Sequence, residues 1–166
     1  AAPADVTTSK GEALGVELAV QSFTLDNGLR VYVAEDHSVP AFSMHTAYKV
    51  GSQDEAKGRS GFAHLFEHMM FKGSENVPDG GHFANILNVG GNLNAFTTAD
   101  VTQYFNILPS HYLDMALWLE SDRLRSLVIT DENFENQRSA VKEERAMRYE
   151  NQAYAGPILS SYADIW

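Results

Sequence analysis

His64-Leu65-Phe66-Glu67-His68 places two imidazoles four residues apart, with a carboxylate directly before the second. On an α-helix each residue advances about 100°, so His64, Glu67 and His68 share one arc of about 100°. Both rings can then reach one metal ion, and Glu67 lies beside a water in the open position. The order H-x-x-E-H is the inverted form of the zincin motif. With six histidines in 166 residues, a chance match is an event on the order of a per cent at ordinary composition. The bland alternative is a pair of surface histidines. The flanks argue against it: Gly61-Phe62-Ala63 and Met69-Met70-Phe71 are largely apolar, unlike the flanks of a solvated helix. Ionisable groups on a mostly buried helix need partners or a metal.

A catalytic zinc takes three protein ligands and leaves a fourth position for water. The chain has no cysteine, so the third ligand must be His, Asp or Glu. The best segment is Asp131 to Arg148. Thr130 or Asp131 can cap a helix there, with acids in its first turn and arginines near its end. Phe134, Val141 and Met147 mark a partly apolar face. Glu143 and Glu144 both sit on this helix, and periodicity does not choose between them. The commoner meaning of such a charge run is a solvated helix.

Further stretches carry a family resemblance. The inverted motif is followed by Gly90-Gly91-Asn92-Leu93-Asn94-Ala95-Phe96-Thr97-Thr98, then Asp100, Thr102 and Tyr104, then Val141-Lys142-Glu143-Glu144. Gly51-Ser52, Glu55 and Phe71-Lys72-Gly73 fall in the same order. Together, from about Phe23 to about Tyr149, they resemble the pitrilysin-type (M16) zinc metallopeptidases, which include insulin-degrading enzyme and the mitochondrial processing peptidases. The resemblance implies one Zn²⁺ held by His64, His68 and a distal glutamate, with Glu67 as the catalytic base. The family's distal glutamate lies some 75 residues beyond the motif, and this spacing selects Glu144 over Glu143. One position departs from the pattern: many members carry an acid two helical turns before the ligand, where this chain has Gln137.

The resemblance also assigns Asn92 to Thr98 as an edge strand that pairs with substrate backbone. Its physics is β-augmentation, in which an extended peptide completes the unpaired N–H and C=O groups of a sheet edge. Asn94, Ala95 and Phe96 are the implied contacts, with Tyr104 as further lining. The substrate is then a peptide or unfolded polypeptide. Family members work as two related halves around a chamber, so a homologous second half or partner subunit is implied. Some relatives keep the fold as non-catalytic core or assembly subunits, which is the alternative function.

These residues need a scaffold. Val20 to Leu25 and Leu29 to Ala34 read as strands joined at Asp26-Asn27-Gly28, a hairpin signal. Ala41 to Val50 alternates as a third strand. Asp54 to Arg59 is a polar loop into the motif helix. Ser74 to Gly80 is a loop with Pro78. His82 to Val89 is expected as a short helix with Phe83, Ile86 and Leu87 inward, stopped by Gly90-Gly91. Asn92 to Thr98 and Val101 to Leu108 follow as strands. Pro109-Ser110 opens a helix to about Leu127, with Leu113, Leu117 and Leu124 as its inner stripe and Trp118 packed. The fold class is α+β, a mostly antiparallel sheet with helices packed on it, forming one half of a two-domain pitrilysin-type subunit.

Residues 1–18 are small, polar and weakly patterned, and read as a flexible arm before a peptidase domain over 19–166. Ser161 to Trp166 ends in semi-apolar sequence, as if cut before a further element. Four histidines, His37, His45, His82 and His111, are isolated and read as non-ligands. Gly90-Gly91 precedes a strand and lacks a following Lys-Ser/Thr, so it is not a phosphate loop. The net charge of −10 argues against nucleic acid and anionic membranes as partners, and no apolar run is long enough to span a bilayer. The opening Ala1-Ala2-Pro3-Ala4 reads as a mature N-terminus, hence a periplasmic or secreted protein, the alternative being a cytoplasmic or organellar one.

Overall fold

A computed structural model describes residues 6–13, 16–150 and 154. The chain divides into two compact units, Ala1–Pro40 and Ala41–Trp166.

The first unit is an antiparallel meander of β1 (Thr7–Ala13), β2 (Val16–Thr24) and β3 (Arg30–Ala34). The β2–β3 turn is the one the sequence predicts. Gly28 takes φ +85, Leu25 and Leu29 close the turn at 2.9 Å, and the Asn27 side chain accepts from the Leu29 amide at 3.0 Å. The expected arm is corrected in its described part. Thr7 to Ala13 pairs with β2 in the register Thr7↔Ser22 to Ala13↔Val16. Backbone pairing organises this stretch, which apolar patterning does not mark.

The second unit carries the motif. Its sheet runs in the order β4-β6-β5, all antiparallel, from β4 (Ala41–Tyr48), β5 (Asn92–Thr97) and β6 (Thr102–Pro109). The helices are α1 (Phe62–Met69), α2 (Gly81–Leu87), α3 (Leu113–Ser126) and α4 (Asp131–Arg145), the last continuing as a π-helical stretch, Ala146–Glu150. Thr102, Tyr104, Asn106 and Leu108 alternate along β6 as its buried side, the period of two that a half-covered strand requires. Val77, Ile86, Leu93, Leu108, Ala116 and Leu119 form the core. Among the described residues, no helix is long and apolar enough to cross a membrane.

Two helix faces differ from expectation. In α3 the buried residues are Ala116, Leu119, Glu120, Asp122 and Arg123, while Leu113, Leu117, Leu124 and Trp118 are 44–50% exposed. Ala116, without bulk, brings the helix close to its neighbours, and the charged groups turned inward find partners. Glu120 accepts from Thr46 at 3.0 Å, from Asn106 at 3.3 Å and from Arg123. The Arg123 guanidinium lies 4.5 Å from the Tyr104 ring centroid, a cation–π contact. Asp122 accepts from Ser74 at 2.5 Å and from the Asn76 side chain at 2.7 Å. These bonds, that to Ser74 first, hold its carboxyl below the ordinary range. In α2, Ile86 points inward as predicted, but its buried companion is His82, and Phe83 and Leu87 are exposed. Phe83 instead rests on Phe71, with ring centroids 4.8 Å apart. The expectation for Ser161 to Trp166 lies outside the described residues.

Candidate metal centre

The motif helix α1 is only eight residues long. Its 3.6-residue turn puts His64 and His68 side by side, with ring centroids 4.8 Å apart and planes nearly perpendicular. Helix α4 crosses to meet them. It starts at Thr130, whose hydroxyl accepts from the Asn133 amide while the Asn133 side chain returns to the Thr130 amide, a reciprocal cap. From that start Glu144 faces the histidines and Glu143 is exposed. Glu144 Oε2 lies 3.5 Å from His64 Nε2 and 3.5 Å from His68 Nε2, and the two Nε2 atoms are 3.2 Å apart. Among the described residues these three side chains form the one cluster with metal-ligating donors within 4.8 Å of one another.

The donors fit a metal. The amide oxygen of Gln137 lies 3.3 Å from His68 Nδ1. Its amide nitrogen donates to Asn136 Oδ1 at 2.7 Å. The Gln137 contact engages the ring at Nδ1, and Nε2 is the atom turned toward His64 and Glu144. His68 Nε2, His64 Nε2 and a carboxylate oxygen of Glu144 converge on one point. Two imidazole nitrogens and one carboxylate oxygen make a donor set that suits zinc, with a position to spare. The side chains are 26–31% exposed, so the point is open to solvent from one side. The other Glu144 oxygen is bound by Arg148 at 2.6 Å, a partner the sequence reading passed over. Its signal was an ordinary i, i+4 acid–base spacing.

Glu67 stands apart from the cluster. It is buried, 9% exposed, and its Oε2 accepts from Thr97 Oγ1 at 2.5 Å. Thr97 belongs to β5, which is an edge of its sheet. Strand alternation puts Leu93, Ala95 and Thr97 on the face toward α1, opposite Asn94 and Phe96. The three expected peptide contacts therefore divide: Ala95 shares a face with Glu67, and Phe96 is 42% exposed on the other. Thr97 is the functional neighbour that pattern reading missed, because a threonine in a strand carries no motif.

Residues 30–161 match the family model described as Insulinase (Peptidase family M16). The chain belongs to this family. Within it, a zinc protease named PqqE of Helicobacter pylori is 36% identical over 132 residues, covering 79% of this chain and 30% of the relative. Human cytochrome b-c1 complex subunit 1, mitochondrial, is 30% identical over 156 residues, covering 94% and 32%. Among solved structures, a protease from Helicobacter pylori superimposes with TM-score 0.78 at 34% identity, over 82% of this chain and 33% of that one. Pitrilysin superimposes with TM-score 0.72 at 24% identity, over 87% and 16%, a likeness of fold. The chain thus spans about a third of the length of these curated relatives.

Proposed function

We propose that the chain is the metal-bearing part of a zinc-dependent endopeptidase of the M16 family. The observation that carries this reading is the convergence of His64, His68 and Glu144, with Glu67 on the same helix as the histidines, buried and outside the cluster. His64, His68 and Glu144 hold the ion. When bound, zinc polarises a peptide carbonyl and makes water acidic enough to attack at neutral pH. Glu67 takes the proton of the attacking water and returns it to the leaving nitrogen. Thr97 holds one Glu67 oxygen, leaving the other for that proton. Gln137, against His68 Nδ1, orients the ring so that Nε2 faces the ion. The substrate is a peptide or unfolded segment laid along β5 as an added strand, which supplies the edge with backbone partners.

A homologous second half or partner subunit completes the cleft. A peptide held by one edge strand loses its freedom with little enclosure to offset the cost. The likeness to cytochrome b-c1 complex subunit 1 supports a second reading, an assembly subunit of the same fold, but the intact motif and its geometry favour catalysis. Zinc content and hydrolysis of a quenched peptide, with and without the homologous second half, test the proposal. Stoichiometric zinc with cleavage in the assembly is expected. Zinc-loaded assembly that cleaves no peptide leaves the assembly-subunit reading in its place.

A further inference from the structure

The loop between β4 and α1 is tied at both ends to parts of the site. The helix begins after Gly61, which has φ +91 and no side chain to cap it. Its first-turn amides need acceptors from elsewhere. Glu55 supplies them: one carboxylate oxygen accepts from the Gly61 amide and the other from the Ala63 amide, each at 2.8 Å. A bidentate anion at a helix N-terminus also complements the positive end of the helix dipole. Ala63 is followed directly by His64.

The other end of the loop is bonded to the turn that closes β5 onto β6. The Ser52 amide donates to Thr98 O at 3.1 Å and the Gln53 amide to Ala99 O at 2.9 Å. The Gly51 amide donates to Asp54 at 2.9 Å, and Thr102 donates to Val50 O at 3.0 Å. The approach is so close that a Cβ on Gly51 would meet Thr98 and Ala99 backbone at 2.5 Å. A continuous set of hydrogen bonds therefore runs from the β5 turn through residues 50–55 to the first turn of the helix that carries His64.

We propose that Glu55 is a positioning residue for the metal centre. Its carboxylate sets where α1 starts and so where His64 aims, and the loop behind it keeps the helix in place against the edge strand. The inference rests on the zinc reading above. A helix this short frays at an uncapped end, and His64 lies in the turn that would fray. A ligand freed in this way binds more weakly because its geometry is no longer prepared.

The test is zinc affinity by chelator competition, the absorption spectrum of the cobalt(II)-loaded chain, and amide exchange at Ala63 to Leu65. Glu55→Ala is expected to weaken zinc by about tenfold, the usual scale for an outer-shell partner, to alter the cobalt spectrum and to speed exchange at those amides. Glu55→Gln keeps one acceptor oxygen at the site and recovers most of the affinity. Ile86→Val in the core lowers thermal stability yet leaves affinity and spectrum unchanged. Should Glu55→Ala fail to fold, Glu55→Gln decides, with a loss of a few-fold expected and none overturning the inference. Parent-like zinc affinity in Glu55→Ala, or equal weakening in Ile86→Val, overturns it alone. A parent chain that takes up no zinc sinks the proposed function and this inference together.

Discussion

Two clusters of charged side chains sit in the same unit and obey opposite rules. Around α3, Glu120, Arg123 and Asp122 are 2–8% exposed, and each acid accepts from several named donors. Around α1 and α4, His64, His68 and Glu144 are a quarter to a third exposed, and their ring Nε2 atoms and one carboxylate oxygen lie within 3.5 Å of one another. The first cluster is turned inward: its charges are paired within the fold, with Arg123 Nε left as a buried donor without a partner among the described residues, and it ties α3 to β4, β6 and the Ser74 loop. The second is open: its ligand atoms converge beside solvent, as a metal site requires. A buried ion pair within the fold is a strut, whereas metal-ligating atoms that converge beside solvent make a site.

The largest effect expected falls beside the open cluster. Glu67→Gln should lower peptide cleavage by about 10²–10⁴-fold in the assembly that cleaves, the scale of general-base loss, while zinc content stays at the parent level. Assay and metal analysis of the same sample separate base from ligand. The inward cluster should respond in stability. Arg123→Leu leaves the Glu120 carboxylate buried beside neutral donors and should cost about 3–5 kcal/mol in urea unfolding. His64→Ala, at a partly exposed position, should shift metal-free stability by only about 0.5 kcal/mol. Equal costs for the two would erase the distinction between strut and site.

A third expectation concerns pH. Burial first, and the Arg123 charge second, depress the pKa of His82 from 6.5 to about 4. In the unfolded chain the ring takes its proton near pH 6.5, and in the folded chain only near pH 4. The unfolded state then binds the extra proton between these values, so stability falls as pH drops from about 6.5 to about 4. The full loss is about 3 kcal/mol from this group. Unfolding at pH 7 and pH 4.5 should show it, and His82→Gln should flatten that part of the profile. A parent and variant with parallel profiles would place the ring in contact with water.

The smallest effect sharpens the corrected helix face. Leu117→Ala, on the outer stripe of α3, should change stability by within about 0.5 kcal/mol, against roughly 2–5 kcal/mol for the buried Leu119→Ala. A reversed order would restore the leucine stripe as the inner face.

These contrasts explain what could be read from residues alone. The open cluster was legible because a metal fixes its ligands at helical spacing, and Asp26-Asn27-Gly28 was legible because only certain residues adopt that turn. The choice of Glu144 over Glu143 needed the family spacing, since both lie on one helix, and the structure brings Glu144 to the histidines. The inner face of α3 was not legible. Glu120 and Arg123 look like a solvated i, i+3 pair, and the partners that bury them, Thr46, Asn106 and Tyr104, come from strands distant in sequence. The burial of His82 was not legible either, since it depends on what packs over α2. The roles of Thr97 and Glu55 depend on where loop and strand meet the helix, which no local pattern carries.

In the proposed centre, His64, His68 and Glu144 hold a metal that Glu67 does not touch. Zinc titration of the parent, Glu144→Gln, Glu143→Gln and Glu67→Gln under one set of conditions tests it most directly. One zinc per chain is predicted for the parent, for Glu143→Gln and for Glu67→Gln. Glu144→Gln should bind more than about a hundredfold more weakly, beyond the effect of outer partners. Equal retention by both helix variants, loss in Glu143→Gln instead, or loss of stoichiometric zinc in Glu67→Gln would contradict the assignment.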